Sequence, residues 1–190
     1  MIEELIKKVA QCLDRDKIPY MIIGGQAVLL YGTPRLTRDI DITLGIDTDK
    51  FRSIEKICKK LGLKILPEDP EGFAAETKVL PAEEVELRIR VDFIFSFTQY
   101  EAQAIGRTKE VRIGGYPVKF ASCEDVIIHK MIAARAVDAE DVKNILIKNK
   151  DSIDLEYITG WLLEFSKISE HEGILEGFNR LLKQHEAQDG

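Results

Sequence analysis

Cysteine is scarce, and the little there is does not pair: Cys12, Cys58 and Cys123 are odd in number, far apart, and form no Cys-x-x-Cys. That pattern excludes zinc ribbons and dithiol redox motifs and reads as three reduced, partly buried thiols. His129, His171 and His185 fall at no metal-binding spacing, so a zinc enzyme is set aside. No apolar run approaches the ~20 residues that span a bilayer. The opening Met1-Ile2-Glu3-Glu4-Leu5-Ile6-Lys7-Lys8 is amphipathic and lacks a signal peptide's apolar stretch, so no membrane partner and a cytoplasmic location are expected. Basic residues are outnumbered, 27 Lys and Arg against 33 Asp and Glu for a net charge of -6. This argues against broad, non-specific binding to nucleic acid, although a local basic strip is compatible with it. Internal repeats and low-complexity segments are absent as well.

What is present suits a soluble globular chain with one real core. It has 190 residues, 45% hydrophobic and 32% charged. Apolar residues at helical spacing predict a helix over 2–15, and Pro19 precedes a short buried strand, 20–23. Gly24-Gly25 reads as a turn and 27–31 as a short helix. Alternation predicts a strand over 39–44, and an apolar stripe predicts a helix over 51–61 capped by Gly62. A strand over 63–66, a loop over 67–72, a long strand over 85–95 and a Gly114-Gly115 hairpin follow. Ser122 is a good N-cap, and 123–135, 139–149, 154–166 and 170–184 read as helices, with Trp161 and Phe165 as core. The expected architecture is an α/β (α+β) core, residues 1–120, with a mixed and mostly antiparallel sheet, followed by a helical region, 121–190, packed on it.

Three features carry chemistry. Two glycines between a buried strand and a helix let backbone N–H groups approach a phosphate at the helix's positive end, unless Gly24-Gly25 is merely a tight turn. Asp39 and Asp41 stand at i and i+2 of a strand, so both carboxylates share one face while Ile40 and Ile42 point into the core. Building a strand does not call for two adjacent like charges; either this is a solvated edge or a hard divalent cation resolves the repulsion. Asp92, inside Val91-Asp92-Phe93-Ile94-Phe95, is costly to bury unless satisfied, either by Arg88 or Arg90 or by a metal shared with Asp39 and Asp41.

Taken together, Ile23-Gly24-Gly25, thirteen residues, Asp39-Ile40-Asp41-Ile42 and then Val91-Asp92-Phe93 resemble the nucleotidyltransferase superfamily of polymerase-β type. The run Gly32-Thr33-Pro34-Arg35-Leu36-Thr37-Arg38-Asp39-Ile40-Asp41 resembles the subgroup containing the toxin-like enzymes of abortive-infection systems. Glu124-Asp125-Val126-Ile127-Ile128-His129-Lys130, followed by Arg135, Asp138 and Asp141, resembles that subgroup's helical motif, so the likeness spans roughly 20–145.

The resemblance implies transfer of a nucleoside monophosphate from an NTP, ATP among them, to a hydroxyl by a two-metal mechanism with Mg2+ or Mn2+. Asp39, Asp41 and Asp92 are the implied metal ligands and catalytic residues, with Asp92 as general base. Gly24, Gly25, Arg35, Thr37, Arg38 and Lys130 are the candidate nucleotide-binding residues. Arg35 and Arg38 are otherwise solvated loop arginines, Lys130 an ordinary helix lysine and Asp138 a helix N-cap. The acceptor is open among a small molecule, a protein and tRNA. A polyanionic acceptor would enter along a basic strip of Arg35, Arg38, Arg107, Lys109, Arg112 and Lys119. The alternatives are a catalytically inactive nucleotide- or protein-binding relative, and a toxin–antitoxin component acting through an antitoxin-like protein partner.

Overall fold

The computed structural model describes residues 1–34, 36–96 and 98–186. Contacts divide the chain into two compact units, Met1–Gln26 with Leu36–Ala121, and Ala27–Arg35 with Ser122–Gly190.

The first unit is built on a seven-stranded sheet. Its strands are β1 (Tyr20–Ile23), β2 (Asp39–Leu44), β3 (Lys64–Ile65), β4 (Val79–Glu84), β5 (Ile89–Phe95), β6 (Lys109–Ile113) and β7 (Tyr116–Phe120), in the order β3-β4-β5-β2-β1-β7-β6. The β2–β5 and β1–β7 pairs are parallel and the other four antiparallel, the mixed sheet expected. Helix α1 (Ile2–Arg15) buries Leu5, Ile6, Val9 and Leu13 and packs against β7 and α3 (Phe51–Leu61). Helix α3 buries Phe51, Ile54, Ile57 and Cys58. Gly62 ends it at φ 70, donating its N–H to the carbonyls of Cys58 and Lys59. Tyr20, Ile22, Ile40, Ile42, Leu44, Leu80 and Phe93 are fully buried in the strands. Each such side chain contributes about 1.5–3 kcal/mol.

Helix α2 (Gly24–Tyr31) begins directly at Gly24, with no separate turn. The expected loop 67–72 is half right: Asp69 accepts from the Gly72 N–H and Pro70 opens α4 (Pro70–Thr77). The expected strand 85–95 is a correction. Residues 85–88 form a turn, with Val85 and Leu87 exposed and Arg88 at φ 53, and β5 starts only at Ile89. The turn joins β5 to β4, whose Pro81 lacks the N–H a central strand uses. A further helix, α5 (Gln99–Gly106), precedes the β6–β7 hairpin.

The second unit holds α6 (Cys123–Ala133), α7 (Ala136–Asn149), α8 (Leu155–Phe165) and α9 (Ile174–Glu186), with α6 touching the other three. Ser122 caps α6 by accepting the Asp125 N–H. Arg135, not Asp138, is the N-cap of α7; Asp138 stands at the third position and its carboxylate accepts the Arg135 N–H. A 3-10 turn at Ser169–His171 and Gly173 at φ 84 delay α9 past the expected start at 170. Trp161 and Phe165 are half-buried, their rings 6.1 Å apart. Among the described residues no helix is long and apolar enough to cross a membrane.

Candidate functional site

The three aspartates converge because of strand order. Asp41 of β2 and Asp92 of β5 are register partners across a parallel pair, so their Cα atoms stand about 4.8 Å apart with side chains on one face. Asp39 lies two residues along β2 on that face, opposite Arg90. The opposite face takes Ile40, Ile42, Val91 and Phe93 into the core.

A glycine cradle adjoins the row. Gly24 sits at φ 64, and a Cβ built on it would come within 1.9 Å of Asp41 Oδ2. A Cβ on Gly25 would fall 2.5 Å from Thr37 Oγ1. The pair is therefore more than a flexible turn. Gly24 makes space for the Asp41 carboxylate and Gly25 makes space for Thr37, while the first N–H groups of α2 have no intrahelical partner. Buried Gln26 donates from Nε2 to the Asp39 carbonyl at 3.2 Å, tying the helix start to the first residue of β2. Spacing does not foretell that bond; a lone amide in an otherwise apolar helix is the only hint.

Arg90 brings a cation to the row. Its Nε donates to Asp92 Oδ1 at 2.8 Å, which settles Arg90 over Arg88 as the partner of Asp92. The Arg90 guanidinium is held above its ordinary pKa, first by this bond and then by the field of Asp92, Asp39 and Asp41. Glu83 on β4 is its cross-strand neighbour. A cavity of about 670 Å3 opens alongside, walled by Phe73 and Pro81 and edged by Glu68, Asp69, Glu76 and Arg90.

Among the described residues no group of three or more His, Cys, Asp or Glu is disposed to hold a metal ion as the side chains stand. The donor set nevertheless suits one. Three hard carboxylates share a face, and the missing Cβ of Gly24 leaves Asp41 Oδ2 its place beside the helix start.

The remaining candidates are placed differently. Thr37 is half-buried and Arg38 exposed on the stretch entering β2; Arg35 lies outside the described residues. Lys130 belongs to the helical unit. It is 3% exposed, and its Nζ stands 2.7 Å from Asp138 Oδ1 and 2.8 Å from Asp141 Oδ2. It is thus a buried ion-pair centre, not an exposed helix lysine. Of the basic strip, Arg38 adjoins Asp39 in the chain, whereas Lys109, Arg112 and Lys119 stand on other strands. Strands β6 and β7 are separated from β2 by β1, the Lys119 ammonium is paired with Asp14 at 2.7 Å, and Arg112 donates to the Gly115 carbonyl.

Three solved structures are similar to the chain. The antibiotic-resistance factor ANT(2'')-Ia, in complex with adenylyl-2''-tobramycin, matches at TM-score 0.57 and 22% identity over 82% of this chain and 91% of that one. An antigenic nucleotidyltransferase-like protein from Paracoccidioides brasiliensis matches at 0.52 and 18% over 92% of each. A putative nucleotidyltransferase from H. pylori matches at 0.52 and 15% over 98% and 94%. At these identities the likeness establishes the nucleotidyltransferase fold. No curated protein sequence matches. A family model described as a nucleotidyltransferase of unknown function (DUF6036) matches residues 1–174, and the chain belongs to that family.

Proposed function

We propose that the chain transfers a nucleoside monophosphate from a nucleoside triphosphate to a hydroxyl acceptor, with Mg2+ or Mn2+ on Asp39, Asp41 and Asp92. The observation that carries this is the pairing of Asp41 with Asp92 in register, Asp39 beside them and the Gly24-Gly25 cradle at one end. A divalent cation bound there supplies charge neutralisation at the phosphates. The N–H groups opening α2 donate to the triphosphate. Thr37 and Arg38, with Arg35, complete its grip. The acceptor oxygen bonds to the α-phosphorus, the α–β anhydride bond breaks, and pyrophosphate leaves. The acceptor proton passes to an Asp92 carboxylate oxygen. Lys130 is left out of the grip, because two buried carboxylates already neutralise it.

The cavity beside Arg90 supports a small hydroxylated acceptor. Its edge carboxylates, Glu68, Asp69 and Glu76, disfavour a polyanion such as tRNA, and Phe73 and Pro81 offer an apolar wall. A small acceptor also agrees with the adenylylated tobramycin in the ANT(2'')-Ia complex. A second reading, a nucleotide-binding relative without turnover, draws on the hold of Arg90 on Asp92.

A thermal-shift panel of the four NTPs with Mg2+ or Mn2+ tests binding. A ligand at 100 times its dissociation constant stabilises by ~2.7 kcal/mol. Metal-dependent pyrophosphate release from the stabilising NTP, over a panel of hydroxylated compounds, separates enzyme from silent relative. If no NTP shifts the melting temperature with either metal, both readings fall.

A further inference from the structure

We propose that Arg90 is a built-in counter-ion of the aspartate row, holding Asp92 in the absence of a divalent cation and giving way when one binds, so that it sets the cation affinity of the site. The inference rests on the reading that the aspartates hold a cation, and it adds a residue outside the ligand set.

The geometry fits a displaceable ion. Arg90 stands opposite Asp39 in the strand register and two residues before Asp92, so its guanidinium shares the carboxylates' face. It holds Asp92 through Nε at 2.8 Å, with the Asp92 side chain 18% exposed but that of Arg90 52% exposed. A pair so open to water is held weakly. Carboxylates gathered on one face repel one another, and the guanidinium beside Asp92 relieves part of this while staying half exposed. A divalent cation held by Asp39, Asp41 and Asp92 would bring twice the charge and compete with the guanidinium for Asp92. Arg90 then has two acidic destinations without leaving its strand: Glu83, its cross-strand neighbour, and the cavity edged by Glu68, Asp69 and Glu76.

The test is Mn2+ binding, read from the paramagnetic resonance of the free ion, on wild type, Arg90→Gln and Arg90→Lys, each first shown to fold by circular dichroism. Arg90→Gln should bind Mn2+ about fivefold more tightly, the scale of one exposed charge pair. Arg90→Lys, which keeps the competing charge, should stay near wild type. Arg90→Gln should also melt lower in EDTA and gain more on Mn2+ addition. Equal affinity in all three proteins, or weaker binding by Arg90→Gln, overturns the counter-ion and leaves the cation site standing. Equal tightening by Gln and Lys shows that bulk rather than charge matters and overturns it too. No Mn2+ binding by any of the three removes the cation site and the inference with it.

Discussion

The carboxylate of Asp41 lies where a side chain on Gly24 would have to go, with Oδ2 only 1.9 Å from an ideal Cβ at that position. Gly24 also sits at φ 64. Gly24→Ala therefore does two things: it imposes left-handed strain of about 1–2 kcal/mol, and it pushes Asp41 off its place. Gly62→Ala is the control, at φ 70 with nothing within 4 Å of its Cβ. Both variants should melt lower. Only Gly24→Ala should also lose the thermal shift with NTP and Mg2+. Equal nucleotide shifts in the two variants would separate the glycine from the site.

Asp92 has a partner with or without a metal, so its replacement should not endanger the fold. Its ion pair with half-exposed Arg90 is worth about 0–1 kcal/mol. Asp92→Asn should melt within a few degrees of wild type, keep much of its nucleotide affinity and lose pyrophosphate release. The double variant Asp39→Asn, Asp41→Asn should fold and lose metal-dependent nucleotide binding. Turnover by Asp92→Asn at the wild-type rate would make Arg90–Asp92 a structural pair only.

Local patterns in the chain were enough to read α1, β1, β2 and α3, because each carries its own period: a stripe in Leu5, Ile6, Val9 and Leu13, an alternation in Asp39 to Leu44. They were not enough for β4, where Pro81 argues against a strand yet is tolerated beside the two-residue β3. The site divides the same way. That Asp39 and Asp41 share a face follows from strand geometry alone. That Asp92 meets Asp41 depends on β5 lying beside β2 in parallel, a matter of sheet order that no local pattern contains. Lys130 shows the limit most plainly. The i, i+3 spacing of Asp138 and Asp141 puts both on one helix face, but α6 must pack on α7 before that face receives an ammonium.

Lys130 makes a stability prediction in consequence. Its ammonium is the shared cation of Asp138, 1% exposed, and Asp141, 6% exposed. Arg135 also contacts Asp138, through Nε at 2.7 Å, but its own side chain is 66% exposed. Lys130→Met removes the ammonium that two buried carboxylates share and should cost about 3–5 kcal/mol in urea unfolding. A Lys130→Met protein of wild-type stability that no longer binds NTP would return the residue to the phosphate grip.

The same helix sets an acid limit on stability. His129 of α6 is half-buried with Nε2 shielded from solvent, and burial lowers its pKa from 6.5 to about 4. The folded protein therefore holds it neutral while the unfolded chain takes up a proton. Its contribution is fully present above pH 6.5 and is lost as pH falls toward 4, by at most about 1.4 kcal/mol per unit. Asp138 adds a second, lower step. Burial raises its pKa, but the hydrogen bonds of Arg135 and Lys130 outweigh that and hold it below 3.8. Its stabilisation is present above 3.8 and lost as pH falls through that lowered value. Urea unfolding of wild type and His129→Gln from pH 7.5 to 3 should thus show two separable losses. The variant should run flatter than wild type between pH 6.5 and 4. Both proteins should fall together below pH 3.8. Parallel curves throughout the upper window would assign the acid sensitivity to carboxylates and not to His129.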